Sequence, residues 1–171
     1  KIKNFKTTLK KTKLDNNSKA FFVVGAILIV ILSYFTIPSF YNKSVIQLEI
    51  KNHFLKKYNV DVKFNKSVSY NLFPKPNFST KNLSINHNQR EIAVVKDLKV
   101  FIQIDKFFNL NAISIKDIIL KRADFNIYLE DIRFFRNLFE AKPNENKIIV
   151  KNSNLFLNNK DDEILFLNKI Y

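Results

Sequence analysis

The chain has 171 residues, enough for one domain with appendages, and its 29 Lys and Arg against 15 Asp and Glu give a net charge of +14. With no Cys, two His and a single Gly, it excludes disulfide frameworks, thiolate zinc and Fe–S sites, multi-histidine metal clusters and the glycine loops that cradle nucleotide phosphates. Lys (25), Asn (23), Ile (21) and Phe (18) make up about half the sequence; this is the profile of AT-rich codons, which accounts for part of the basic charge.

Residues 1–19 hold seven lysines and one acid, Asp15, with no apolar period, and read as a basic, disordered arm. From Ala20 to Asn42 there is no charge. Phe21, Phe22, Val23, Val24, Ile27, Leu28, Ile29, Val30, Ile31 and Leu32 make this stretch apolar all round, and Pro38 ends it. About 20 such residues are needed to cross a bilayer core of roughly 30 Å. The segment lacks the small-x-small site of a cleaved signal peptide and the polar stripe of a buried soluble helix. It is therefore expected to be an uncleaved signal anchor over residues 20–40. Lysines crowd its N-terminal flank, which predicts a cytoplasmic N-terminus and places residues 41–171 across the membrane.

Ser44 and Gln47 have the spacing of a capping box. Ile46, Ile50 and Phe54 then recur at helical spacing, with Leu48 and Leu55 alongside, predicting an amphipathic helix over 45–58 just outside the membrane, packed on the sheet after it rather than inserted at the membrane surface. Beyond Asn59 the period falls to two. Val60/Val62/Phe64, Val68/Tyr70/Leu72, Leu83/Ile85, Leu98/Val100/Ile102/Ile104, Phe125/Ile127/Leu129 and Leu155/Leu157 alternate with mostly polar partners, Phe101 excepted, and an apolar run covers 164–167. Such segments are half-buried strands. Ile113 and Ile115 are out of phase with Ile118 and Leu120, which predicts a bulge or tight turn at Lys116–Asp117. Asp131 is expected to cap a second helix running to Ala141, followed by a turn at 143–146. Scarce glycine argues against many tight primed hairpin turns, although Asn can replace Gly there.

The inventory of reactive groups is thin. His53 is expected at a solvent-exposed or interfacial position on the first amphipathic helix, and His87 at a strand end beside a turn. The acids Glu130/Asp131 and Asp161/Asp162/Glu163 are adjacent, so they point to opposite sides and suit solvated loops better than acid–base pairs. No catalytic residue, metal ligand or cofactor site is assigned. Lysines spread over nearly every segment form no stripe, so nucleic acid is not expected as a partner.

Three stretches resemble the AsmA-like family. Pro74 and Pro76, then Phe78 and Asn82/Leu83/Ile85, are similar to its strand opening. Ile113, Ile115, Ile118 and Leu120, followed by Phe125, Ile127 and Leu129, resemble its strand pair. Ile148, Val150, Asn152, Leu155 and Leu157 resemble a third strand. The likeness covers the chain from about Ala20 onward; Ala123, Glu130–Asn137 and Asn152–Ser153 depart from the family's Pro and Gly positions. The resemblance implies a mainly β fold behind an N-terminal transmembrane helix, with a curled antiparallel, groove-like sheet and one or two amphipathic helices. It also implies an inner-membrane, periplasm-facing protein of bacterial envelope and outer-membrane biogenesis. Phospholipid, and envelope proteins beside it, would be the partners, and this chain would be a portion or a reduced member. An apolar floor of Leu98, Val100, Ile102, Ile104, Ile113, Ile115, Phe125, Ile127 and Leu129 is the candidate lipid groove. Periodicity leaves open whether those residues line a groove or fill a closed core. The competing expectation is a single-pass scaffold that binds a partner by strand addition at a sheet edge.

Overall fold

A computed structural model describes residues 16–107, 113–139, 147–159 and 162–170. The chain divides into two units, residues 1–34 and 35–171. Helix α1, Asn16–Thr36, makes up the described part of the first and ends in the second. At 1.5 Å per residue its 21 residues extend about 32 Å. It is long and apolar enough to cross a membrane, and its large apolar side chains from Phe21 to Leu32 are bare, at 45–80% exposure. Pro38 lies in the 3-10 turn Ile37–Phe40 that follows the helix, and the Tyr41 amide donates back to the Pro38 carbonyl.

The second unit is built on one open, mixed sheet. Its strands are β1 (Asp61–Phe64), β2 (Ser69–Asn71), β3 (Asn77–His87), β4 (Arg90–Ile102), β5 (Ile115–Tyr128), β6 (Ile148–Lys151), β7 (Ser153–Asn159) and β8 (Asp162–Ile170). The order is β1-β3-β4-β5-β7-β8, with β2 beside β3 and β6 beside β5. All pairings are antiparallel except those of β5 with β6 and β7, which are parallel. The sheet is antiparallel, as expected, apart from that junction. A parallel return needs a long crossover, and the segment containing the second amphipathic helix supplies it.

A single transverse line divides the sheet. On β3 both Lys81 and Asn82 face outward, between the buried Thr80 and Leu83. On β4 it is Lys96 and Asp97, between Val95 and Leu98. On β5 it is Lys121 and Arg122, between Leu120 and Ala123, and Lys151 and Asn152 follow the same pattern between Val150 and Ser153. The pairings Lys81↔Asp97↔Lys121↔Lys151 on one side and Leu83↔Val95↔Ala123 on the other show that these doublets lie at one level. Because β3, β4 and β5 each carry an extra residue there, their register is the same above and below, and one face stays apolar across them. Asn82, Arg122 and Asn152 have positive φ, at 55°, 54° and 51°. β1 and β2 pair with β3 on either side of the line, as β6 and β7 do with β5.

Two further bulges are local to the β3–β5 part of the sheet. Phe101 pairs with Asp117 but Ile102 with Ile115, so Lys116 is the extra residue, at the predicted phase slip. Ile85 pairs with Ala93 but Asn86 with Glu91, which leaves Ile92 extra on β4. The β3–β4 hairpin turns on Asn88 and Gln89, with φ of 49° and 66°, a primed-type turn made without glycine.

Helix α2, Lys43–Tyr58, buries Ile46, Ile50 and Phe54, while Leu48 and Leu55 remain exposed. Its N-cap is Asn42, whose side chain accepts from the Ser44 amide at 2.9 Å, so the Ser44/Gln47 capping box does not form. Gln47 donates instead to the Lys66 carbonyl at 3.1 Å. At its C-terminus Asn59 adopts the left-handed conformation, its amide bonded to the Leu55 carbonyl. Helix α3, Ile132–Phe139, follows a 3-10 turn that contains Asp131. Phe135 is buried and Phe134 stacks on His87 with centroids 3.8 Å apart. Ile132 is exposed. The expected end of that helix at Ala141 and the turn at 143–146 lie outside the described residues.

Candidate functional site

The apolar face is traced by rungs that cross the sheet. One runs Val62, Ile85, Ala93, Phe125, Leu155, Leu167, each residue directly paired with the next. The first four are at most 5% exposed, Leu155 is half-buried and Leu167 is 43% exposed. A second rung, Ile127, Leu157, Leu165, goes from buried through half-buried to exposed. Among the described residues the cover over this face therefore ends beyond β5. Among the described residues, α2 and α3 are the helices of this unit that bury apolar side chains. α2 is tied to the β1 end by a Lys51–Asp61 ion pair at 3.0 Å. α3 is tied to the β3 end through the Phe134–His87 stack.

The residues proposed as a groove floor fall into three groups. Leu98, Val100, Ile102, Ile115, Phe125 and Ile127 are buried, at 0–7% exposure. Ile113 is half-buried and precedes β5. Ile104 and Leu129 lie in 3-10 turns beyond the strand ends and are exposed. The open part of the face is instead carried by Leu155, Leu157, Leu165 and Leu167. The sequence shows Leu155 and Leu157 at period two and Leu165 and Leu167 within an apolar run, but only pairing across β7 and β8 places them on this face. On the opposite face Phe156 and Phe166 stack at 4.7 Å.

The reverse face in the middle of the sheet is polar. Arg122 Nε donates to the Asp97 carboxylate at 2.7 Å, and Asn154 Nδ2 donates to Asp124 at 2.7 Å. His87 Nδ1 lies 3.0 Å from the Asn59 carbonyl oxygen, at the strand end its sequence position suggested. His53 is half-buried rather than fully solvated; burial, and then the Lys57 charge, lower its pKa from 6.5. Among the described residues no three acids or histidines converge on a point where a metal could sit.

Compared with known proteins, the chain matches no family model, no curated protein and no solved structure.

Proposed function

We propose that this chain is a single-pass protein of a bacterial inner membrane, with its N-terminus in the cytoplasm and its sheet in the periplasm. In this reading it carries phospholipid acyl chains on the uncovered apolar face of β7 and β8, as an AsmA-type protein of envelope biogenesis. The observation that carries the reading is the rung from Val62 to Leu167, buried at one end and bare at the other. Burying acyl CH₂ groups gains about 0.8 kcal/mol each, so a continuous leucine ledge beside a covered core suits a chain that slides along it. Leu165 and Leu167 sit on the terminal strand of the sheet order, where the face has no further described neighbour. This moves the acyl path from β4 and β5, where the floor residues are covered, to β7 and β8.

Among the described strands β8 ends the sheet order, and its edge also suits a second reading, in which a partner protein adds a strand there. The two separate on one experiment. Full-length protein is extracted in mild detergent, and its phospholipid is measured for wild type and for the Leu165→Asp/Leu167→Asp double variant. Lipid transfer predicts bound phospholipid that the double variant loses while still melting cooperatively. Equal phospholipid in both would assign it to the detergent-embedded helix and leave strand addition as the better reading.

A further inference from the structure

We propose that the end of the sheet carrying Phe40, Phe73 and Ile104 rests in the headgroup layer of an anionic bilayer, the same bilayer that α1 enters. The proposal depends on the reading of α1 as a membrane span; it is independent of whether the leucine face carries lipid.

The chain leaves the apolar segment at Phe40, and that point is fastened to one end of the sheet. The Tyr70 hydroxyl donates to the Phe35 carbonyl at 2.7 Å, and the Phe35 ring meets Phe107 edge-on at 6.1 Å. The Tyr41 hydroxyl donates to the Phe107 carbonyl, and the Tyr41 ring stacks on Phe78. These contacts hold β2, the start of β3 and the turn after β4 against the exit from the span.

The surface at this same end is unusual for one facing water. Phe40 is 84% and Phe73 79% exposed, the barest aromatic side chains described in this unit, and Ile104 is 46% exposed. Phe73 stands in the β2–β3 connection, next to Lys75. Lys75 and Lys116 line one cleft of about 630 Å³ together with Ile104, Asp105 and Asp117. Lys106, next to Asp105 in the sequence, and Lys43, three residues after Phe40, are also exposed. Four exposed lysines thus accompany the three bare apolar side chains, two in the cleft with Ile104 and two within three residues of Phe40 and Ile104 in the sequence, against the two aspartates.

Exposed aromatic rings with lysines beside them match an interface where rings enter the headgroup–acyl boundary and ammonium groups meet phosphate. Each lysine close to an anionic surface strengthens binding about fivefold. A protein partner could also bury the rings. The span fixes this end beside a bilayer, so the bilayer is the occupant that continuity and charge both select.

The test uses the absence of native Trp. Three full-length variants, each with one introduced Trp, are reconstituted in vesicles containing phosphatidylglycerol and brominated lipid: Leu28→Trp in α1, Phe73→Trp at the proposed contact and Val94→Trp on the exposed reverse face of β4. The expected result is strong quenching at 28, clear quenching at 73 and none at 94. Quenching at 73 should decline when phosphatidylcholine replaces phosphatidylglycerol, and again on Lys75→Glu/Lys106→Glu. Quenching at 28 with none at 73 would overturn this proposal alone. No quenching at 28 would overturn the spanning reading and this proposal with it.

Discussion

Ser153 Oγ accepts the amide proton of Ala123 at 3.0 Å and donates its own proton to the Lys151 carbonyl at 3.0 Å. It does so at the transverse line, where β6 breaks from β7 and the ladder with β5 opens. The hydroxyl occupies the place of a missing backbone partner, and Ser153 is fully buried. A buried amide must find an acceptor, which explains a serine among the apolar residues of this face.

Ser153→Ala should therefore strand the Ala123 amide. The expected cost is about 1–3 kcal/mol, read as a lower midpoint in urea with an unchanged slope. A loss below about 0.5 kcal/mol would show that the opened ladder is satisfied by water instead.

The left-handed residues on the same line make a second prediction. Asn152 sits at φ 51°, where a Cβ costs about 1–2 kcal/mol and asparagine is tolerated better than most side chains. Asn152→Gly should hold or raise the melting temperature, and Asn152→Val should lower it. If valine were tolerated as well as glycine, the strand would have to pass through this level without the turn in its backbone.

Much of this was legible in the residues. Period two located the strands, and the slip at Lys116 announced a bulge. The transverse line also left a signal: Lys81–Asn82, Lys96–Asp97, Lys121–Arg122 and Lys151–Asn152 are polar doublets, each beginning with lysine. A further doublet, Lys116–Asp117, shows in the sequence as a phase slip; the alignment of the other four does not, because sequence spacing does not say which strands lie side by side. The parallel pairing of β5 with β7 escaped for the same reason. Phe101 breaks the alternation because it lies half-buried on the outer face, paired with Asn77 and Asp117. The cap of α2 moved from Ser44 to Asn42 because both residues can accept a backbone amide, and the chain turns two residues earlier than the apolar period suggests.

Acid should weaken the fold through His53. Its folded pKa is lowered from 6.5, first by burial and then by Lys57. Above 6.5 the ring is neutral in both folded and unfolded chains and has no effect on the balance. As pH falls below 6.5 the unfolded chain takes up the proton first, so stability is lost until the folded pKa is passed, and the loss then levels off. His53→Gln should flatten that part of the pH–stability curve. An unchanged slope below pH 6.5 would show that another group carries it.

Topology has a direct check. Seven lysines precede the apolar segment, and lysine-rich flanks stay in the cytoplasm. A periplasm-dependent reporter fused after Tyr171 should be active, and a cytoplasm-dependent one silent. The reverse pattern in a membrane-inserted fusion would place the sheet in the cytoplasm and remove the envelope role.

The sharpest contrast is between Ile102 and Leu167, both apolar, one covered and one bare. Ile102 is 5% exposed and paired with Ile115; Leu167 is 43% exposed and paired with Leu155. Ile102→Asp would bury a carboxylate with no partner, at a cost of about 4 kcal/mol or more, enough to abolish cooperative melting of a marginally stable unit. Leu167→Asp would place the same carboxylate in water and lose only strand propensity and partial packing, about 1 kcal/mol. Circular dichroism of the full-length variants in micelles should show a lost or broadened transition for Ile102→Asp and a nearly native one for Leu167→Asp. Two equally damaging substitutions would mean that the β7–β8 face is as covered as β4, and no acyl chain could lie on it.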